Sequence, residues 1–277
     1  MISMSIDLIL EKQDLTYLSW TKIRNSSGTA GSFLKAQSDL SGKKKYYKLS
    51  NYDAINGIIG HESVNELIVS RLLNVLDVEH LAYRLIHSDV LVEGKIFDTF
   101  ICESDDFKSR GESKISLDQF YYQEKLEEES MLDFCLRNNW GDYIWEMLVV
   151  DFLILNRDRH GANIEVLRNT ITKSYRLAPL FDHGVSLLFS CKNDIDVESF
   201  DVLDDKRIQC CVGSQSAYDN LNLIPKESIP HLKRLSESDK EYILGDLNSV
   251  LSPLYLNKIW EMIWKRWCYF ESFCDRK

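Results

Sequence analysis

The stretch from residue 156 to residue 184 constrains this chain most. It reads Asn156-Arg157-Asp158-Arg159-His160-Gly161-Ala162-Asn163, then a strand, a polar stretch over 168–174, a second strand to Phe181, and Asp182-His183-Gly184. Ahead of it, residues 141–156 are apolar on almost every side, the pattern of a helix in the middle of a helical lobe. Helix, polar loop, hairpin and glycine turn thus follow one another without a spacer. The hairpin returns the chain, so Asp182 is expected beside Asp158 and Asn163.

Those residue types suit phosphoryl transfer. A carboxylate must orient the attacking hydroxyl and accept its proton, and oxygen ligands must hold Mg²⁺ against a triphosphate. Protein kinases use an Asp, an Asn five residues on, and a second Asp in a glycine turn after a hairpin. Asp158 and Asn163 have that spacing. Asp, Asn and Gly also favour turns for their own backbone reasons; the joint pattern points to chemistry. His160 reads as a structural hydrogen-bonding residue.

The first hundred residues look strand-rich, with Lys44–Leu49 and the run from Tyr83 to Phe100 carrying β-branched and aromatic residues. One helix is expected over His61–Leu76, where Val64, Leu67, Ile68, Leu72, Val75 and Leu76 recur at helical spacing. The small-residue loop Ser26-Ser27-Gly28-Thr29-Ala30-Gly31-Ser32 can bring backbone N–H groups close to phosphate, although it matches neither common glycine-loop pattern. Lys48, on the strand that follows, is placed to contact phosphates if a helix carboxylate holds it. Glu66 is the candidate, with Glu62 in reserve. Polar residues 103–130 read as the link between two lobes. Beyond them the chain is helical to its end, with a capping box at Ser238 and Glu241 and a helix opened by Ser252-Pro253. That last helix carries Leu256, Ile259, Trp260, Ile263, Trp264 and Trp267 on one face.

A net charge of −10 argues against a dedicated nucleic-acid surface. Seven scattered cysteines form no C-x-x-C pair and read as thiols in a reducing cytosol. Neither a secretory signal nor a membrane span is visible, so a cytoplasmic location is expected.

At Asp158-x-His160-x-x-Asn163, Pro179-Leu180-Phe181-Asp182, Gly28–Lys35, Tyr47-Lys48-Leu49 and Asn65-Glu66, the chain resembles the HipA-like serine/threonine kinases. These are relatives of the phosphoinositide-kinase and protein-kinase superfamily. The resemblance spans roughly residues 25–190 and is closest to short, stand-alone members, since nothing before Asp14 is long enough for the extra subdomain of full-length toxins. It implies an α+β, two-lobed kinase-like fold, with a strand-rich N-lobe over 1–103 and a mostly helical C-lobe over 104–277. ATP is then expected between the lobes. By the same resemblance Asp158 is the catalytic base, Asn163 and Asp182 are Mg²⁺ ligands, and Gly28, Thr29, Ala30, Gly31 and Ser32 form the phosphate loop. Lys48 contacts phosphates with Glu66 behind it, and the segment from Phe100 through Ile101, Cys102 and Glu103 forms the adenine-side hinge.

The resemblance further implies a protein substrate with a Ser or Thr acceptor, self-phosphorylation of a loop hydroxyl, and a possible antitoxin-type partner. A lipid or small-molecule kinase and a non-catalytic nucleotide-binding module are the alternatives. Residues 185–207 carry Asp194, Asp196, Glu198, Asp201, Asp204 and Asp205 against Lys192, Lys206 and Arg207. Such an acidic face suits a basic or neutral protein substrate over an anionic headgroup.

Overall fold

The computed structural model describes residues 7–23, 30–39 and 42–277, the side chains of 22, 23 and 30–32 excepted. Its N-terminal part contains strands β1 (Leu8–Asp14), β2 (Thr21–Ile23), β3 (Ala30–Ser38) and β4 (Lys45–Lys48), then a small hairpin of β5 (Tyr52–Asp53) and β6 (Gly57–Ile58). Helix α1 (Glu62–Leu76) follows, and then β7 (Tyr83–Val92) and β8 (Lys95–Asp105). Six of the strands form one sheet in the order β1-β7-β8-β4-β3-β2. Only β1 and β7 run parallel; the other pairs are antiparallel. The run from Tyr83 to Phe100 is thus a hairpin rather than one strand. It turns at Glu93-Gly94, both with positive φ (49° and 81°), the conformation a tight two-residue turn requires.

Strand alternation gives the sheet two apolar faces. Leu34, Ala36, Tyr47, Leu49, Ile86 and Ile101 pack together on one face. Leu85 meets α1 on the other, where Leu67, Ile68, Leu72 and Leu73 have no exposed surface.

The remainder contains α2 (Leu117–Glu124), α3 (Met131–Arg137), α4 (Gly141–Ile154), α5 (Asp194–Ser199), α6 (Ala217–Asn222), α7 (Asp239–Leu244) and α8 (Pro253–Arg276). A three-stranded sheet joins β9 (Glu112–Ser116), β11 (Glu165–Asn169) and β12 (Ser174–Leu177) in the order β12-β11-β9, and β10 (Asp158–Arg159) pairs with β13 (Gln209–Cys210). Helix α4 is apolar all round because it is covered all round, with α8 as its main helical neighbour. The chain is therefore α+β, strand-rich first and helical after.

Three local expectations change. The polar stretch 103–130 is not a plain connector, since it holds β9 and α2. Ser238 makes no cap at α7; Ser236 instead donates N–H and O–H to Asp239 Oδ2 (2.8 and 2.6 Å). On α8, Ser252 does cap, accepting from Tyr255 N–H, but the buried stripe also contains Met262 and Arg266, while Trp260 and Trp264 are only partly covered. Arg266 is tolerated inside because it donates to the carbonyls of Val202, Phe152 and Asp204 at 2.7–3.0 Å. Among the described residues no helix is long and apolar enough to cross a membrane.

Candidate active site

Strand β4 carries Lys48 to the back of a cleft, where α1 meets it with a carboxylate. Lys48 Nζ lies 2.7 Å from Glu66 Oε1 and also pairs with Asp182 Oδ1. Burial alone would depress the lysine pKa, but the carboxylates of Asp182 and Glu66 outweigh it and hold Lys48 above its ordinary value. Glu62, one helical turn earlier, instead accepts the Asn51 N–H at 3.0 Å.

The same helix holds the Asp182-His183-Gly184 turn. Glu66 Oε2 accepts the His183 N–H at 2.8 Å, and Asn65 Nδ2 donates to the carbonyls of Gly184 (2.9 Å) and Ser186 (3.0 Å). A Cβ at Gly184 would come within 3.1–3.2 Å of Glu62 and of Lys48 Nζ, so a larger residue would have to push these neighbours aside by a few tenths of an ångström. Asp182 has φ of 62°, a conformation costly for a non-glycine residue and kept by its surroundings. His183 is buried, and burial pushes its pKa well down, leaving a neutral ring whose Nε2 has no hydrogen-bond partner among the described residues.

A second truss fixes the loop after α4. That helix stops at Leu155 in the left-handed region (φ 51°). Asn156 then donates to Asp151 Oδ1 (2.9 Å) and accepts the Asp158 N–H (3.2 Å). Arg159, 1% exposed, donates to both oxygens of Asp151 at 2.9 Å and with Nη1 to the Phe181 carbonyl at 2.9 Å. The residue after Asp158 is thereby tied to the residue before Asp182. Asn163 Nδ2 donates to the Asp158 carbonyl (2.7 Å) and to Asp158 Oδ2 (3.2 Å), and His160 Nε2 stands 3.4 Å from Asp158 Oδ1.

Two hollows open onto Asp182. A small one of about 130 Å³ is lined by Tyr46, Tyr83, Cys102, Ser104, Phe107 and Phe181, with the two phenyl centroids 5.7 Å apart. A larger one, about 650 Å³, has Lys35, Lys44, Lys108 and Lys114 on its walls. Lys35 Nζ is 3.8 Å from Asp182 Oδ2. The first suits a flat apolar ring, the second a polyanion.

Lys48, Glu66 and Asp182 therefore meet directly, and Asp158 and Asn163 meet each other across the Arg159 truss. Gly28 and Thr29 lie outside the described residues. Ala30, Gly31 and Ser32 begin β3, and only their backbone is described. The hinge expectation shifts. Ile101, Cys102 and Glu103 lie in mid-strand, and alternation sends only Cys102 of the three toward the cleft, its Sγ 3.7 Å from the Lys48 carbonyl. Ile101 packs in the opposite core, and Glu103 pairs with Lys45 (3.1 Å) and Arg84. The cleft wall continues instead through Ser104, Asp105, Asp106 and Phe107. Of the missed lysines, Lys114 arrives on the hidden strand β9 and Lys108 in the loop that precedes it. The pairing of β9 with β11, Lys114 opposite Leu167, was signalled only by the short alternation around Ile115.

Asn163 and Asp182 offer oxygen and no sulfur, the donor chemistry of Mg²⁺. Among the described residues no group of three His, Cys, Asp or Glu side chains is placed to hold a metal. A cation here would take few protein ligands and would complete its shell from phosphate and water, as Mg²⁺ does at nucleotide sites.

No protein-family model matches the chain. A stretch of 53 residues, 19% of this chain, is 42% identical to the serine/threonine-protein kinase CtkA of Helicobacter pylori and spans 16% of that protein's length. The crystal structure of a Helicobacter pylori proinflammatory kinase CtkA superposes on 92% of this chain and 94% of its own, with a TM-score of 0.59 and 14% identity. A Shewanella oneidensis HipA, solved with HipB and operator DNA, covers 92% of this chain and 68% of its own, with 15% identity. Its TM-score of 0.41 is too low to carry an argument about partners. The fold is that of the CtkA kinase.

Proposed function

We propose that this chain, which shares the CtkA kinase fold, is a HipA-like serine/threonine kinase that transfers the γ-phosphoryl group of ATP to a hydroxyl of a protein. One observation carries the reading: the Lys48–Glu66 pair converges with Asp182 at a lysine-walled cleft, and the Arg159 truss ties that point to Asp158 and Asn163.

The geometry supports the following roles. The small aromatic hollow receives the adenine. Lys48, held by Glu66, and the cleft lysines Lys35, Lys44, Lys108 and Lys114 neutralise the phosphates. Mg²⁺, held by Asp182 and Asn163, supplies further charge neutralisation on the triphosphate when bound. Asp158 accepts the proton of the attacking hydroxyl, and Asn163 Nδ2 fixes its carboxylate at 3.2 Å. With all seven thiols free, a reducing cytosolic setting fits. Among the loop hydroxyls of Ser26, Ser27, Thr29 and Ser32, that of Ser32, which follows Gly31, is the site for slow self-phosphorylation. A phosphate there would bring about −1.5 to −2 charges against the triphosphate and shut the site. Mass spectrometry after long incubation with Mg-ATP should find it between residues 25 and 35; full activity with an unmodified loop ends that part of the reading.

The central test uses purified protein, labelled ATP, Mg²⁺ and a cell lysate. Label should appear on discrete protein bands. Asp158→Asn should retain ATP affinity while turnover falls by ~10²-fold or more. Label appearing only in lipid or small molecules would move the assignment to the alternative kinase classes. ATP binding with no transfer at all would make the chain a binding module.

A further inference from the structure

Immediately before Asp158, Arg157 faces a groove outside the nucleotide cleft. The groove measures about 560 Å³, and its walls include Arg157, Ser190, Asp196, Phe200, Lys206 and Arg207. It lies between the catalytic loop and the segment that follows the Asp182 turn, because the Arg157 N–H donates to the Val185 carbonyl at 2.9 Å. Consecutive Cα atoms are about 3.8 Å apart, so whatever fills the groove lies within a few residues of a hydroxyl at Asp158.

The charges in the groove are unbalanced in a particular way. Arg157 is half-buried, donates Nε to the Arg207 carbonyl at 2.5 Å and packs its guanidinium over Phe189. No carboxylate lies within 4.0 Å of the Arg157 or Arg207 guanidinium among the described residues. Lys206 differs, pairing with Asp204 at 3.0 Å. The Arg157 guanidinium is partly desolvated and feels the Asp204 carboxylate only from beyond direct pairing distance; its remaining donors form a planar fork suited to carboxylate or phosphate.

Of the acidic residues that dominate this segment in sequence, Asp196 lies on the groove wall and Asp204 acts on Arg157 from a distance. Yet none pairs directly with Arg157 or Arg207 among the described residues, and several turn to local donors. Asp196 accepts the Lys192 N–H, and Asp201 accepts the Leu203 N–H. Asp204 takes Lys206, and Asp205 takes the Ser216 hydroxyl and the Ala217 N–H.

We infer that the groove formed by Arg157, Arg207 and Lys206 is a substrate-specificity subsite, which binds an anionic side chain a few residues from the acceptor Ser or Thr. Aspartate, glutamate and a phosphorylated residue share the required chemistry. The inference names the substrate class of the proposed kinase and rests on that reading.

The test is a panel of fluorescent peptides centred on Ser, with Asp, phosphoserine, Asn or Lys fixed at each position from three before to three after the acceptor. Binding is followed by anisotropy and transfer by labelled Mg-ATP. The intact protein should bind and phosphorylate at least one acidic or phosphorylated series about tenfold better than its Asn counterpart, with the gain in KM, as uniform binding requires. The Asp and phosphoserine series separate the two sources of charge. Arg157→Gln should collapse the preference, and so should Arg207→Gln, whose exposed side chain makes no contact that folding needs. Transfer that is indifferent to flanking charge, or that favours Lys, refutes the groove and leaves the kinase standing. Acidic peptides bound through Arg157 but never phosphorylated would leave the groove standing and refute the kinase.

Discussion

Replacing Arg159 by methionine tests whether the truss behind the site bears the strain assigned to it. Arg159 is 1% exposed and makes three hydrogen bonds, two to the Asp151 carboxylate and one to the Phe181 carbonyl. Its loss leaves a buried carboxylate with only the Asn156 amide as neighbour, and a carbonyl beside Asp182 without its donor. Removing one partner of a buried ion pair costs about 3–5 kcal/mol, and that range is expected here. Taking out both charges, with Asp151→Leu and Arg159→Met together, should cost only about 1–3 kcal/mol, because what remains is unsatisfied amide and carbonyl, not unpaired charge. Urea unfolding followed by far-UV circular dichroism gives both numbers. The double variant should therefore be more stable than either single one. If its loss equals the sum of the two single losses, the pair acts as two independent contacts and the truss is misread.

Two further outcomes follow from single sites. Asp182→Ala should weaken binding of Mg-ATP while affecting ATP without metal less; calorimetry giving one Mg-ATP affinity for both proteins would remove Asp182 from the ligand set. Burial pulls the His61 pKa down to about 4, so its stabilising neutral form is fully credited above about pH 6.5 and lost as pH falls toward 4. By pH 5 that amounts to roughly 2 kcal/mol, and His61→Gln should narrow the gap between urea midpoints at pH 7 and pH 5, which an unchanged gap would contradict.

Much of this was readable before any coordinates. Helix α1 announced itself because its stripe is apolar and its period is 3.6, and the glycine turn after a hairpin placed Asp182 near Asp158 through chain geometry alone. What escaped was parity and partnership. The hinge expectation chose a stretch of strand without knowing which face each residue takes, and one step along a strand reverses the face. The apolar pattern of 141–156 gave no role to Asp151, and the aromatic face of the last helix gave none to Arg266. Arg266 is buried because the carbonyls of Phe152, Val202 and Asp204, distant in sequence, satisfy it, and no local pattern encodes that. Asp151 is satisfied by Asn156 and Arg159, past the end of its helix. Strand β9 vanished into a polar stretch because its alternation spans five residues and its second face is wet.

Those hidden polar contacts also decide what moves with what. Helix α1 is buried along nearly its whole length, including Glu62, Asn65, Glu66 and Arg71. Arg71 binds Asp7 at 2.8 Å and Asp246 at 2.6 Å, while Asn65 and Glu66 grip the turn at residues 183–186. Sliding α1 far enough to part Glu66 from Lys48 would strip the Asn65 amide and the Glu66 carboxylate of their partners inside the protein. Each unsatisfied group costs about 1–3 kcal/mol, and the buried charge more. That penalty is a large fraction of the ~5–15 kcal/mol holding a typical domain together. The lysine pair is consequently set by the same contacts that keep the helix folded onto the turn.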